Sequence, residues 1–233
     1  MLLLGHRGTP RLHPENTLAG FRAALEAGLH GVEIDVQPTS DGQLAVHHDP
    51  HLTSGRRLRE HTLEELRLEK PDLPSLPEVL RWFAGSGAAL LNVELKNETD
   101  RNDGREALLV QALRDVPLGG RVVVSCFHPL SLQRLHALDP ELRLGYLTSD
   151  HPASKELQAL AAPPPLYSVH PHFSTVTSET MQAWHARGLK VFAWTVNDPL
   201  EAQRLAELGV DGLIGDLPDV LRGAAPHAAT AAR

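Results

Sequence analysis

Short apolar runs alternate with helical patterns along almost the whole chain, and this order limits the folds that are open to it. Strands that alternate with helices pair in parallel through crossovers. Eight such units in a chain of 233 residues predict an α/β fold of the TIM (β/α)8 barrel type. The predicted strands are residues 2–4, 32–36, 90–95, 122–127, 142–147, 166–169, 191–196 and 212–214. The predicted helices are residues 17–27, 107–114, 130–138, 155–161, 178–187 and 200–208.

Two segments depart from this simple alternation. The run 44–46 follows Asp41-Gly42, a dipeptide typical of tight hairpins, so we expect it to fold back beside the second strand. Residues 51–76 are charged and contain Pro71 and Pro74, which predicts a small insertion at the mouth of the barrel. An open Rossmann-type sheet is the rival architecture, but no G-x-G-x-x-G follows any strand.

The boundaries of the domain follow from the same patterns. We expect a single barrel domain over residues 1–222 and a disordered tail at 223–233, where apolar periodicity ends. Asn16 is a suitable N-cap for the helix at 17–27, because its side chain can accept from backbone N–H groups in the first turn.

Charge and composition argue against several classes of protein. The formal net charge is −7, and no large basic cluster is present, which argues against nucleic acid as a partner. The start MLLLGHRG has no basic region and no cleavage site, and no run is long enough to span a bilayer. We therefore expect a cytoplasmic protein without stable membrane association; its oligomeric state is left open. Cys126 is the only cysteine, and its apolar surroundings predict a buried side chain and not a nucleophile.

Three acidic residues occupy strand positions that should be apolar if the strands were simply buried. Glu33 and Asp35 alternate with valine and isoleucine on the second strand, so they share one face. Asn92, Glu94 and Lys96 share a face of the third strand in the same way. In a parallel barrel the helices cover one strand face, and the other points into the barrel. The charged side chains are therefore expected to converge inside it.

Converging carboxylates need a counter-charge, because buried charges are costly unless they are paired. Oxygen ligands suit hard cations, so Glu33, Asp35 and Glu94 predict a site for one divalent cation, Ca²⁺ or Mg²⁺. The alternative is a buried network of Lys96 with these acids and no metal.

Histidines stand close to two of the strand ends. His6 and Arg7 follow the first strand with Gly5 and Gly8 on either side, which allows a ligand to approach the backbone closely. A guanidinium is suited to binding phosphate. His47 and His48 follow the hairpin run on opposite faces, and alternation alone leaves open which of them faces the site.

Eight motifs, in order from residue 4 to about 219, together resemble the glycerophosphodiester phosphodiesterase family. They are His6-Arg7-Gly8, Pro14-Glu15-Asn16-Thr17, Glu33-x-Asp35-Val36, Thr39-x-Asp41-Gly42, His48-Asp49, Glu94-Leu95-Lys96, Trp194-Thr195-Val196-Asn197 and Gly209-Val210-Asp211-Gly212. The resemblance implies a TIM barrel and metal-dependent hydrolysis of small-molecule glycerophosphodiesters to glycerol 3-phosphate and an alcohol. The chain departs from the family at Gly215-Asp216, where threonine usually precedes the aspartate.

The resemblance also implies a role for individual residues. Glu33, Asp35 and Glu94 would bind the metal, and His6 and His48 would be the acid/base pair, which favours His48 over His47. Arg7 and Lys96 would hold the phosphate. Apart from the resemblance, Phe127 and Trp194 are candidates to line the glycerol pocket, with packing in the core as the alternative. Glu15 and Asp49 are candidates to orient the histidines or nearby loops, with loop and cap hydrogen bonds as the alternative. The family's chemistry further implies that the substrate's own hydroxyl attacks first, giving a cyclic phosphate that water then opens.

Two other functions fit part of the pattern. A lysophospholipid or inositol-lipid phosphodiesterase would use the same residues, but it would need an exposed apolar patch, and residues 51–76 are polar. A non-catalytic, metal-dependent barrel that binds glycerophosphodiesters would have no need of a proton-transfer pair.

Overall fold

A closed barrel of eight parallel strands forms the core of the chain, and a ninth, short strand lies outside it. A computed structural model describes residues 1–97, 102–116, 118–159 and 161–224. The strands are β1 Leu2–Gly5, β2 Gly31–Pro38, β3 Leu44–Val46, β4 Leu90–Leu95, β5 Val122–Cys126, β6 Leu144–Thr148, β7 Ser168–Pro171, β8 Lys190–Ala193 and β9 Gly212–Gly215.

The barrel closes because β1 pairs in parallel with both β2 and β9. Leu4 lies opposite Gly31 on one side and Ile214 on the other. The remaining strands follow in the order β9, β8, β7, β6, β5, β4 and β2. The TIM-barrel prediction is therefore confirmed, and the rival open sheet is wrong.

Helices cover the outside of this barrel, as the alternation requires. They are α1 Leu18–Glu26, α2 Leu63–Arg67, α3 Leu76–Gly85, α4 Arg105–Arg114, α5 Pro129–Leu138, α6 Pro152–Gln158, α7 Ser178–Ala186, α8 Pro199–Glu207 and α9 Pro218–Ala224. Of the predicted helix 155–161, residue 160 lies outside the described residues. No helix in the described parts of the chain combines the length and the apolar composition needed to cross a bilayer.

Side-chain alternation separates an outer core from an inner one. Val32, Ile34 and Val36 belong to the large apolar cluster that strands and helices share. A second cluster, Leu4, Leu90, Val123, Phe192 and Ile214, lies on the opposite strand faces and fills the lower part of the barrel. The upper part is left to polar side chains, at the carboxyl ends of the strands.

The hairpin and the insertion are both present. β3 pairs antiparallel with β2, with Val36 opposite Val46. The following segment contains a 3-10 turn at Leu58–Glu60 and the short helix α2, which a Thr62–Glu65 capping box begins. The insertion has a small apolar core of its own, made of Leu52, Leu58, Leu63, Leu66 and Leu73 with Ala45 of β3.

The helices differ from the sequence-based expectation in three respects. Helices α2, α3 and α9 were not predicted, although Ser75 and Glu78 form a capping box at the start of α3. The N-cap of α1 is Thr17, whose hydroxyl accepts from Gly20 N, so the expectation for Asn16 is wrong. Helix α9 extends to Ala224, so residues 223 and 224 are helical and not part of a tail. Residues 225–233 lie outside the described residues.

Candidate active site

A cavity of about 1000 Å³ opens at the carboxyl ends of the barrel strands. Alternation along the strands turns polar side chains into this space, because the apolar ones occupy the helix-covered face. The sequence-predicted residues that line it are His6, Arg7, Glu33, His48, Glu94, Lys96, Phe127 and Trp194. Asp35 lies behind them and is 1% exposed.

The three acids of β2 and β4 converge as the alternation predicted. One carboxylate oxygen each from Glu33, Asp35 and Glu94 lies within 4.8 Å of the other two. Asp35 and Glu94 are opposite each other in the parallel register of β2 and β4. Oε1 of Glu33 is buried and has no hydrogen-bond partner among the residues that the structure describes. This donor set fits a hard divalent cation, which prefers several oxygen ligands.

Two cationic side chains contact this acidic group. Nζ of Lys96 lies 2.7 Å from Glu94 Oε1 and 3.5 Å from Asp35 Oδ1. Nε of Arg7 lies 3.3 Å from Asp35 Oδ2, and its backbone N–H donates to Glu33 Oε2 at 3.0 Å. The metal-free network considered from the sequence is thus partly present, but neither cation contacts Glu33 Oε1.

The same charges set the protonation of the two acids on β2. Burial, with the adjacent charge of Asp35, raises the pKa of Glu33 to about 8. Burial alone would also raise the pKa of Asp35, but Lys96 and Arg7 hold it below its usual range. Without a further cation, the site therefore favours a proton on Glu33, which a bound divalent ion would displace.

Asn16 is a part of the site that the sequence reading assigned to helix capping. Its Nδ2 donates to Asp35 Oδ2 at 2.9 Å, and its Oδ1 accepts from the Asp35 N–H at 3.2 Å. The backbone of Asn16 has a φ of 56°, a left-handed conformation that asparagine tolerates better than most residues. These two hydrogen bonds fix the orientation of the Asp35 carboxylate.

His6 is held by a carboxylate from the opposite end of the chain. Its Nδ1 donates to Asp216 Oδ1 at 2.7 Å, and Asn197 Nδ2 donates to the other oxygen of Asp216 at 2.7 Å. Because a carboxylate only accepts, Nδ1 carries a proton in this contact, and His6 lines the cavity. Burial would lower the pKa of His6, but Asp216 and Glu33 outweigh it and raise that pKa.

His48 has a similar partner close by in sequence. Its Nδ1 lies 2.7 Å from Asp49 Oδ1, and its backbone carbonyl accepts from Gln37 of β2. His47 instead directs Nε2 towards the carbonyl of His51, at 3.4 Å, and is not among the residues that line the cavity. Of the two histidines that the sequence left open, His48 is therefore the one that faces the site.

The two carboxylates predicted to orient the histidines take different partners. Asp49 contacts His48, as above. Glu15 contacts neither histidine, because its Oε2 accepts from Nη1 of Arg7 at 3.0 Å. The residue that orients His6 is Asp216, which the sequence reading noted only as a departure from a motif. Its one signal was its place directly after the last strand of the barrel.

Aromatic rings form the wall of the cavity away from the acids. The rings of Phe127 and Trp194 meet edge to face with centroids 5.6 Å apart. Nε1 of Trp194 donates to the carbonyl of His170 at 2.8 Å, which fixes its indole. Cys126, next to Phe127, points the other way into the outer core, and burial raises the pKa of its thiol to about 12. The prediction that Cys126 is a buried structural residue is confirmed.

Comparison with known proteins agrees with this architecture. Residues 6–220 match the model of the glycerophosphoryl diester phosphodiesterase family. The chain is similar to a glycerophosphodiester phosphodiesterase of Caldanaerobacter subterraneus subsp. tengcongensis, with 33% identity over 94% of this chain and 96% of that one. It is 34% identical to one of Bacillus altitudinis, over 93% and 95% of the two chains.

A solved structure adds information on the reaction of one relative. The fold matches that of an Oleispira antarctica phosphodiesterase in complex with its product, sn-glycerol-3-phosphate, with a TM-score of 0.80 and 28% identity over 96% of each chain.

Proposed function

Because the chain belongs to the glycerophosphoryl diester phosphodiesterase family and has its enzyme activity, we propose that it hydrolyses glycerophosphodiesters such as glycerophosphocholine and glycerophosphoethanolamine. The products are sn-glycerol 3-phosphate and an alcohol, and the reaction serves phospholipid breakdown. One observation carries the proposal: two histidines, each bonded to a carboxylate, line the same cavity as an acidic cluster and two cations.

A phosphodiester is an anion, so its charge must be neutralised before a nucleophile can approach the phosphorus. Arg7 and Lys96 bind the phosphate oxygens, and both line the cavity. Glu33, Asp35 and Glu94 hold one divalent cation, Ca²⁺ or Mg²⁺, which supplies Lewis-acid stabilisation of the phosphate charge. Asn16 and Glu15 keep Asp35 and Arg7 in place through the bonds described above.

The histidines move the protons. One, neutral, takes the proton from the attacking hydroxyl as its oxygen forms a bond to phosphorus. The other, protonated, gives a proton to the alcohol oxygen as the phosphorus–oxygen bond to it breaks. Histidine is suited to both roles, because the unperturbed pKa of an imidazole, about 6.5, lies near neutral pH. The attacking hydroxyl belongs to the substrate's glycerol, and water opens the resulting cyclic phosphate with the two roles exchanged.

The aromatic wall of the cavity contacts the glycerol part of the substrate. Phe127 and Trp194 pack against the glycerol carbons, since they line the cavity and are held edge to face. The product complex of the Oleispira antarctica relative supports sn-glycerol 3-phosphate as one of the two products.

A product assay tests this function directly. We expect the protein, with Ca²⁺ or Mg²⁺, to release sn-glycerol 3-phosphate and free alcohol from glycerophosphocholine, measured by enzymatic detection of both products. Glycerophosphoethanolamine, glycerophosphoglycerol and glycerophosphoinositol are compared with lysophosphatidylcholine and phosphatidylinositol under the same conditions.

Three other outcomes of that assay would contradict the proposal. Faster turnover of lysophosphatidylcholine would favour a lysophospholipid phosphodiesterase, and cleavage confined to inositol lipids would favour an inositol-lipid enzyme. Stoichiometric binding of glycerophosphocholine without product would indicate a non-catalytic barrel.

A second prediction concerns Asp216. Asp216→Asn removes the charge that stabilises protonated His6, so the pKa of His6 falls. The limb of the pH–rate profile that His6 governs should move to lower pH, and kcat/KM at neutral pH should fall by about 10–100-fold, as for other partners that orient a reacting group. Asp219→Asn is the control, because that carboxylate is 97% exposed on α9. A profile of Asp216→Asn that coincides with that of the control would remove Asp216 from the mechanism.

A further inference from the structure

Asn92 is a polar residue of the cavity to which the proposed mechanism gives no task. It lies on β4, two residues before Glu94 on the same strand face, and directly opposite Glu33 of β2 in the parallel register. Its side chain lines the cavity, although the residue is only 1% exposed. Its Oδ1 is buried without a hydrogen-bond partner among the described residues.

Glu33 and Asn92 thus present a matched pair of unsatisfied acceptors. Oε1 of Glu33 is also buried and has no hydrogen-bond partner in the described parts of the chain, and the two strands are adjacent, about 4.8 Å apart. When Glu33 is ionised, both oxygens are acceptors and cannot satisfy each other. The pair therefore calls for a donor or a cation between or beside them.

The neighbouring charged groups do not fill this place. Lys96 contacts Glu94 and Asp35, and Arg7 contacts Glu15, Asp35 and, through its backbone, the other oxygen of Glu33. Below, the five buried members of the inner apolar cluster carry no polar side-chain atom. The coordination of a hard cation does fit, since Ca²⁺ takes 6–8 oxygen ligands and asparagine carbonyls are common among them.

We propose that Oδ1 of Asn92 is a fourth protein ligand of the divalent cation, at the floor of the site beside Glu33. The inference rests on the metal site of the proposed function and extends it by one neutral oxygen. Such a ligand adds coordination without adding charge, in a cluster that already holds three carboxylates within 4.8 Å of one another.

Metal binding without substrate tests this assignment. The wild-type protein and its variants are freed of metal and titrated with CaCl₂ and with MgCl₂ by isothermal calorimetry, and the rise in Tm on adding each ion is recorded. Asn92→Leu, which removes the oxygen but fills the space, should raise the Kd at least about 10-fold and reduce the rise in Tm. Asn92→Asp, which keeps an oxygen at the same position, should bind at least as tightly as the wild type.

Ser125→Ala is the matched control. Ser125 is fully buried on β5 and lies opposite Glu94 in the register, and the described residues provide no hydrogen-bond partner for its hydroxyl. It is not among the residues that line the cavity, so its variant should bind metal as the wild type does. Asn92→Ala is titrated in parallel, because the smaller alanine side chain also removes the oxygen and does not crowd the neighbouring side chains if leucine does.

The possible results separate this inference from the function on which it rests. A wild-type protein that binds neither ion overturns both. Metal binding by the wild type with an unchanged Kd in Asn92→Leu or Asn92→Ala overturns the assignment of Asn92 alone, and so does a raised KM with unchanged metal affinity. A Kd raised equally in Asn92→Asp would mean that the amide N–H groups matter, which also contradicts the proposal.

Discussion

Replacing His6 or His48 with alanine is expected to lower kcat/KM for glycerophosphocholine by about 10²–10⁴-fold, the usual contribution of a positioned acid or base. Each variant lacks one of the two proton transfers on which the proposed reaction depends. The melting temperature should stay nearly the same, because the two side chains are 18% and 30% exposed and neither fills the apolar core. Steady-state kinetics and thermal unfolding of the two variants measure these effects.

His47→Ala is the control for the second histidine. It removes an imidazole one residue away, whose Nε2 is directed at the carbonyl of His51 and which does not line the cavity. We expect it to keep kcat/KM within a few-fold of the wild-type value. Equal losses in His47→Ala and His48→Ala would contradict the assignment, and full activity in both His6→Ala and His48→Ala would exclude the proposed acid/base pair.

Removing divalent cations is expected to abolish turnover and to lower the melting temperature. Glu33, Asp35 and Glu94 then lose their shared counter-charge, and an ion that binds only the folded protein no longer stabilises it. Excess EDTA followed by dialysis should bring hydrolysis of glycerophosphocholine below detection. Added Ca²⁺ or Mg²⁺ should restore both the rate and the melting temperature.

Two comparisons make this result specific. Restoration by NaCl of equal ionic strength would indicate screening of the acidic cluster and not binding of a divalent ion. Glu94→Gln should need a higher concentration of Ca²⁺ or Mg²⁺ for half-maximal activity than the wild type. Unaltered turnover in excess chelator would remove the metal from the mechanism.

Most of the fold could be predicted because strand and helix periods are local properties of the sequence. The eight barrel strands and the β2–β3 hairpin followed from apolar runs and a single Asp-Gly turn. Helix α3 was missed because its start adjoins the charged insertion, although the Ser75–Glu78 capping box is visible in the sequence. The small apolar core of the insertion was missed as well, since its leucines are scattered among charged residues.

Alternation along the strands was sufficient to predict the acidic residues of the site. Glu33 and Asp35 share one face of β2 because side chains alternate with a period of two along a strand. Glu94 lies on the same side of the sheet because β2 and β4 pair in parallel with Asp35 opposite Glu94. Asn16 was assigned to a cap because asparagine favours that position, yet Thr17 provides the cap and Asn16 binds Asp35. Local preference could not reveal a contact with a residue 19 positions further along the chain.

Asp216 could not be assigned for a related reason. Its partner, His6, is 210 positions away in the sequence, and only closure of the barrel brings the two side chains together. Glu15 was expected to orient a histidine or a nearby loop, and its carboxylate accepts a hydrogen bond from Arg7, the residue next to His6.

Because β1 pairs with β9, the site of a newly made chain is complete only after the last strand has joined the barrel. His6 follows β1 and Asp216 follows β9, so the imidazole has no carboxylate at Nδ1 until β9 has paired with β1. During synthesis from the amino terminus, the three acids, Arg7, Lys96 and His48 all leave the ribosome before this strand. A nascent chain that stalls before residue 212 would contain these residues but would lack the carboxylate that holds His6.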